Sequence, residues 1–345
     1  MERIIIKAPD SISAIMVGAR WEAVTRLLPG KNVVIITDEN VFRLYGKNFP
    51  KFPVIRIVPG EESKKLKVIE SLAGKLLKMG IDRSGFILAI GGGVVCDISG
   101  FLASVYMRGI RCGYVSTTLL SQVDASTGGK NGVNLGMIKN VIGNFRQPEF
   151  VICDTTMLRT LPDDEYMSGM AELIKTGIIG DPSIIEMLEE NYARVILRDR
   201  RLLSDLVARS VKFKASVVAK DEKESGLRRI LNFGHTFGHA IELQESFKHG
   251  FAVASGMELA TLFSYDKGLI DKKVCNRVIS LLKKYGQLSS YNIPSGIIEE
   301  FILHDKKKSG EYIHFVFIEG IGVPCVKKIL LEEVVDFYKK FKKGK

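Results

Sequence analysis

Short apolar runs alternate with amphipathic segments through the first half of the chain, the pattern of strand-helix units that build a mostly parallel sheet. Residues 32–37, 53–58 and 86–90 are β-branched or apolar runs bounded by turn residues, so each reads as a buried strand. Leu66, Ile69, Leu72, Leu76 and Leu77 recur at helical spacing up to Lys78, and Gly80 closes that helix. Residues 113–118 and 150–154 read as two further strands. From Leu161 the period becomes helical, through residues 166–175, 184–190, 202–218 and 279–285; residues 313–318 and 323–326 form a late hairpin around Gly320-Ile321-Gly322. The expected class is α/β, with an N-terminal Rossmann-like, mostly parallel sheet domain over residues 1–160. A mainly helical metal- and substrate-binding domain over residues 161–345 follows.

Composition narrows this to a soluble globular protein. The chain has 345 residues, 46% hydrophobic and 26% charged, enough for about two cores. The nearest candidate for a membrane span, residues 84–107, is broken by Asp97 and rich in glycine, which suits a buried strand and loop better than a lipid-facing helix. Only three isoleucines follow Met1-Glu2-Arg3 before Lys7, too few for a signal peptide, so a cytoplasmic location is expected. The five cysteines are scattered without a C-x-x-C spacing and read as reduced core residues. A net charge of +11 predicts attraction to anions. The charge is spread along the chain and not interleaved with aromatics, which argues against nucleic acid; a phosphorylated substrate and a dinucleotide would use the same field, and plain solubility is the alternative account of much of the surplus.

Candidate chemistry sits at strand ends. Asp38, just past the first strand, either accepts from ribose hydroxyls or caps the next helix. Gly91-Gly92-Gly93-Val94-Val95-Cys96-Asp97 follows the strand at 86–90 without matching G-x-G-x-x-G; it is either a tight turn or a backbone cradle for pyrophosphate ahead of a helix. Residues 122–132, with Asp124 and Lys130, and the pair Lys139-Asn140 read as a phosphate clamp or as a mobile surface loop.

The densest signal is Asn232-Phe233-Gly234-His235-Thr236-Phe237-Gly238-His239, with His249-Gly250 close behind, in a chain with only five histidines. His235 and His239, four apart, share a helix face at the spacing of a zinc pair, although the Glu of H-E-x-x-H is replaced by Thr236. A glycine before each ring would let another group come close, and His249 offers a further nitrogen. The alternative is a set of satisfied core histidines.

Several ordered signatures carry a resemblance. They are Gly91 to Val95 with Asp97, Tyr106-Met107-Arg108-Gly109, Thr117 to Asp124, Gly128-Gly129-Lys130, Lys139-Asn140, Ala171-Glu172-Leu173-Ile174-Lys175, Asp221 to Glu224 with Gly226-Leu227-Arg228, and Asn232 to His239. From about residue 38 to 322 the chain resembles the 3-dehydroquinate synthase family of sugar-phosphate cyclases. The resemblance implies an NAD- and zinc-dependent cyclase, with cobalt as a possible substitute, that acts on a phosphorylated sugar acid in the shikimate pathway. It implies that Glu172, His235 and His249 bind the metal, and that His239 faces the substrate. Asp38, Asn40, Glu61, Lys64, Gly92, Gly93, Val94, Asp97, Thr117, Thr118, Lys139, Thr160 and Leu161 would hold NAD. Lys130, Asn140, Lys175, Lys214, Glu224, Arg228, Asn232, Lys306 and Lys307 would surround the substrate, with Asp124 serving both. Arg108 would reach the phosphate from the other subunit of a homodimer, and the site would lie in the cleft between domains.

Two departures stand out. The family's His-Gly-Glu is His249-Gly250-Phe251 here, which removes a carboxylate that could orient a ligand, and Cys96 replaces a glycine. Rival readings are a sister cyclase of the 2-deoxy-scyllo-inosose or amino-dehydroquinate type, a metal-dependent polyol dehydrogenase, and a basic nucleic-acid binder. The polyol dehydrogenase has no use for the phosphate-directed cations, and the nucleic-acid binder leaves the histidine and glycine motifs unexplained.

Overall fold

The computed structural model describes residues 1–8, 11–136, 138–245, 248–288, 294, 296, 298–300 and 308–343. The chain forms two compact units: Met1–Tyr166 with Arg194–Lys223, and Met167–Ala193 with Glu224–Lys345. These differ from the contiguous blocks 1–160 and 161–345, because residues 194–223 return to the first unit.

The first unit holds strands β1 (Glu2–Ala8), β2 (Ser11–Val17), β3 (Val33–Asp38), β4 (Val54–Ile57), β5 (Phe86–Gly91), β6 (Arg111–Ser116), β7 (Lys130–Leu135), β8 (Ile138–Phe145) and β9 (Phe150–Cys153). The second adds β10 (Lys308–Ser309), β11 (Tyr312–Gly320) and β12 (Val323–Leu330). The helices, in chain order, are α1 (Glu39–Tyr45), α2 (Leu66–Lys78), α3 (Gly93–Val105), α4 (Asp163–Ile179), α5 (Pro182–Glu190) and α6 (Tyr192–Ile196). They continue with α7 (Arg200–Lys220), α8 (His235–Glu245), α9 (His249–Asp266), α10 (Lys272–Lys284) and α11 (Leu331–Lys343).

A seven-stranded sheet in the order β1-β2-β9-β6-β5-β3-β4 organises the first unit, parallel throughout except for the β1–β2 hairpin at its edge. β5 is buried along its whole length, and β3 is buried up to its final Asp38, as strands covered on both faces must be. On one face Trp21, Val24, Val33, Ile35, Phe86, Leu88, Phe150 and Met157 share a core. Trp21 N donates to the buried Asp154 carboxylate at 3.0 Å, which also takes the Thr156 N–H at 2.9 Å, so one acid just past β9 secures two segments.

Two parts of this unit depart from the sequence expectation. β1 and β2 come from a segment read only for its lack of a signal peptide. The stretch expected as a loop at 122–132 is a π-helical turn, Ser121–Ala125, followed by the two-stranded ribbon β7–β8. Its strands show no apolar alternation. Buried Asn131 holds them instead: its amide donates to the carbonyls of Gly129 and Arg146, both at 2.9 Å, and its oxygen accepts from the Tyr114 hydroxyl at 2.9 Å.

In the second unit, helices dominate around an aromatic core in which Phe263 stacks on Phe337 at 4.3 Å and meets Phe315 at 5.4 Å, with Phe237 5.7 Å from Phe315. α9 is buried on nearly every face, so its neighbours must come close, and glycine permits this. A Cβ at Gly250 would lie 2.1 Å from the Ser168 carbonyl oxygen of α4, and one at Gly256 would lie 2.0 Å from the Gly234 carbonyl oxygen. Gly238 likewise lies against Ala252 and Val253. The glycines before His235 and His239 therefore serve the contact between α8 and α9, and the group they let come close is the backbone of α9. Among the described residues no helix is long and apolar enough to cross a membrane.

Candidate functional site

The close packing of α4, α8 and α9 brings together three groups distant in sequence. Glu172 projects from α4, His235 is the first residue of α8, and His249 is the first of α9. His249 Nε2 lies 3.5 Å and His235 Nε2 3.7 Å from Glu172 Oε1. A carboxylate oxygen and two imidazole nitrogens from these residues all lie within 4.8 Å of one another. The Glu172 side chain is completely buried, a costly place for an anion without cations, and Lys175 one turn on pairs with it.

This donor set suits a divalent cation. It offers one oxygen and two nitrogens, and leaves coordination positions for substrate oxygens. His235 Nδ1 is 3.2 Å from the Phe233 carbonyl, which can only accept, so the proton sits on Nδ1 and the Nε2 lone pair is left for a ligand. His249 Nδ1 has a different partner, the Glu242 carboxylate at 3.4 Å.

Facing these two carboxylates, His249 has a displaced affinity for protons. Burial works against the cation, yet the hydrogen bonds and charges of Glu172 and Glu242 outweigh it and push the ring up to about 10 from its ordinary 6.5. The cation's contribution to stability is therefore complete below about pH 6.5 and is lost as pH rises through about 10. A metal takes only the neutral ring, so metal affinity of stripped protein is expected to climb by up to about tenfold per pH unit across that window. A flat competition titration would remove His249 from the ligand set.

His239 stands beside the three, its ring 5.2 Å from that of His235 and 6.3 Å from that of His249. It is outside the group whose ligand atoms converge, which corrects the reading of His235 and His239 as a helical metal pair. Arg228 is 1% exposed in the 3-10 segment before α8, and Asn232 at the end of that segment donates to Glu224.

The first unit gathers its own set of expected residues at the carboxyl ends of its strands. β4 lies beyond β3 and β5 returns on its other side, so the strand order reverses between β3 and β5, where open α/β sheets bind ligands. Asp38 ends β3; its side chain accepts from Val41 N at 2.9 Å and caps α1, and Asn40 is exposed beside it. Gly92 caps α3, and a Cβ there would lie 2.8 Å from the Thr118 methyl, so the turn at Gly92-Gly93-Val94 is tight. Thr117 is buried after β6.

Lys64 is itself buried, 2.7 Å from Asp97 and 3.7 Å from the more exposed Glu61, and it donates to the Asn140 oxygen. Burial opposes its charge, but Asp97 and Glu61 outweigh it and raise its pKa, so it stays cationic. Lys214 of α7 pairs with Asp124 in the π-helical turn and donates to that residue's carbonyl at 2.7 Å. Lys130 and Lys139 are exposed on β7 and β8. Thr160 bonds the Tyr45 hydroxyl at 2.6 Å, with Leu161 next to it. Cys96 is fully buried within α3, and Lys306 and Lys307 lie outside the described residues.

Arg108 (φ 66°), Asn140 (φ 51°) and Glu224 (φ 59°) all adopt left-handed backbone, which non-glycine residues rarely do without a local reason. Two residues absent from the sequence reading also belong here. Asn134 donates to Glu61 at 2.9 Å and accepts from Asn140 N at 2.8 Å, tying ribbon to cluster. Glu242 lies seven residues after His235 and three after His239, on the same face of α8, a helical spacing that could have flagged it.

The profile of the 3-dehydroquinate synthase N-terminal domain matches residues 54–168, and that of its C-terminal domain matches residues 169–308. The chain is 43% identical over 317 residues to 3-dehydroquinate synthase of Dictyoglomus thermophilum, covering 90% of this chain and 88% of the relative. It is 39% identical over 323 residues to that of Solibacter usitatus, covering 89% and 90%. Among solved structures, 2-deoxy-scyllo-inosose synthase complexed with carbaglucose-6-phosphate, NAD+ and Co2+ superposes with a TM-score of 0.88 at 25% identity, covering 98% of this chain and all of the other.

Proposed function

Because this chain belongs to the 3-dehydroquinate synthase family, we propose that it converts 3-deoxy-D-arabino-heptulosonate 7-phosphate to 3-dehydroquinate and phosphate with one NAD and one zinc ion, replaceable by cobalt. The observation that carries the metal assignment is the convergence of Glu172, His235 and His249. Bound NAD supplies a reversible hydride acceptor, and the bound cation a Lewis acid for neighbouring hydroxyls.

The substrate's chemistry then explains the residue types. Oxidising a ring alcohol acidifies the adjacent C–H, which permits elimination of phosphate. Re-reduction, ring opening and an intramolecular aldol step close the carbocycle with no net oxidation. In this reading Asp38, Asn40, Glu61, Lys64, Asp97, Thr117, Thr118, Lys139, Thr160, Leu161 and the Gly92-Gly93-Val94 turn hold NAD. Lys130, Asn140, Lys175, Lys214, Glu224, Arg228 and Asn232 orient the sugar acid and neutralise the departing phosphate, and Asp124 serves both. Arg108 reaches the phosphate from the second subunit of a homodimer. The free thiols among the described residues suit the reducing cytoplasm.

The deciding assay supplies the heptulosonate phosphate, zinc and a catalytic amount of NAD, and follows phosphate and NADH together. Phosphate release without NADH build-up is expected. Stoichiometric NADH would identify a dehydrogenase instead, and an absence of phosphate release would end the assignment of this substrate. Within the site, His239 is assigned to proton transfer with the substrate. His239→Ala is therefore expected to keep its metal while turnover falls about 10²- to 10⁴-fold; loss of metal by elemental analysis would reverse the division of roles.

A further inference from the structure

Phe251 leaves the position after His249-Gly250 without a carboxylate, yet His249 has one. We propose that Glu242 is the positioning residue for His249: its carboxylate accepts the Nδ1–H bond and fixes the ring so that Nε2, the nitrogen turned to Glu172, presents its lone pair to the metal.

Three observations converge on this. The Nδ1–Oε2 distance is 3.4 Å while Nε2 of the same ring lies 3.5 Å from Glu172 Oε1, so the two ring nitrogens serve two different carboxylates. The Glu242 side chain is only 8% exposed, so its charge is held in place and not left to solvent. Glu242 also shares a face of α8 with His235, so one helix supplies a ligand ring and the group that orients the other ligand ring. The two imidazoles differ accordingly. His235 leans on the Phe233 carbonyl, a fixed neutral acceptor, and His249 on an anion, which makes its ring the more basic donor.

The inference rests on the metal reading above, and one experiment on the full-length protein tells the two apart. Glu242→Ala and the nearly isosteric Glu242→Gln are compared with wild type and with Glu172→Ala. Zinc and cobalt dissociation constants are measured by competition with a chromophoric chelator, the cobalt d–d absorption is recorded, and circular dichroism reports folding. Glu242→Ala is expected to bind metal about 10- to 100-fold more weakly with an altered cobalt spectrum. Glu242→Gln shifts in the same direction by less, since its amide oxygen still accepts but carries no charge. If Glu242→Ala does not fold, Glu242→Gln decides. Wild-type affinity and spectrum in the folded Glu242 variants, with Glu172→Ala metal-free, would overturn the role of Glu242 alone. Equal metal binding by wild type and Glu172→Ala would take down the metal site and this inference with it.

Discussion

Glu172→Ala is expected to abolish metal binding and to lower turnover by at least about 10³-fold, the loss that follows from removing several kcal/mol of Lewis-acid stabilisation. Glu172 is the one anion in a set whose other members are imidazoles, and Nε2 of both rings is directed at the same oxygen, Oε1. Without it the remaining donors are two neutral nitrogens on different helices, too few to hold a divalent ion. The substitution also removes the carboxylate that pairs with Lys175, whose side chain is 3% exposed. Breaking a buried pair from one side costs about 3–5 kcal/mol, so a fall in melting temperature should accompany the loss of metal. Added zinc should raise the melting temperature of wild type and leave that of the variant unchanged. A variant that melts lower yet still takes up stoichiometric zinc would mean that Glu172 is a structural acid only.

Gly250→Ala is the second large effect, and it acts through the backbone. The added methyl would fall 2.1 Å from the Ser168 carbonyl oxygen and 2.5 Å from its Cα, atoms that no rotamer change can move aside. Restoring 3.4 Å, the near edge of ordinary contact, requires α4 and α9 to part by 1.3 Å, and Gly250 N would lose its 3.1 Å bond to the Ser168 hydroxyl. Overpacking of this kind costs about 1–3 kcal/mol. The functional loss should exceed the stability loss. His249 precedes Gly250, Glu172 follows Ser168 by one helical turn, and metal sites tolerate displacements of only about 0.2 Å. A chelator competition on the folded variant is expected to show metal affinity reduced by at least about tenfold. Unchanged affinity and melting temperature would refute the close crossing of the two helices.

Much of the first unit was legible because its central strands are buried on both faces. β3 and β5 must be apolar nearly throughout, and such runs announce themselves. β7 and β8 gave no such signal, since their pairing depends on the side-chain bonds of Asn131 to atoms far along the chain. The candidate metal group was legible only in part. His235 and His249 stand out in a chain with five histidines. The spacing of His235 and His239 pointed to a different pair from the one whose ligand atoms converge with Glu172, because α9 approaches α8 at its first turn and supplies His249 there. Glu172 entered through the family resemblance, for a lone glutamate in a helix carries no local mark of burial. Glu242 likewise carries no local mark of burial; only its helical spacing from His235 and His239 distinguishes it in the sequence. Asp38 illustrates the limit of local reading: the side chain that could accept a ribose hydroxyl also caps α1, and one function does not exclude the other.

The return of residues 194–223 to the first unit has a consequence for how this chain is made. α7 packs on β1 and supplies Lys212 to Glu2 and Lys214 to Asp124. A ribosome that has released only the first 160 residues has produced every strand of the large sheet but not the helix that covers its first hairpin. The sheet must wait, with that hairpin uncovered, while 167–193 of the other unit are synthesised, so the first unit is complete only once residue 223 has emerged, and 167–193 must loop out from it until 224–345 follow.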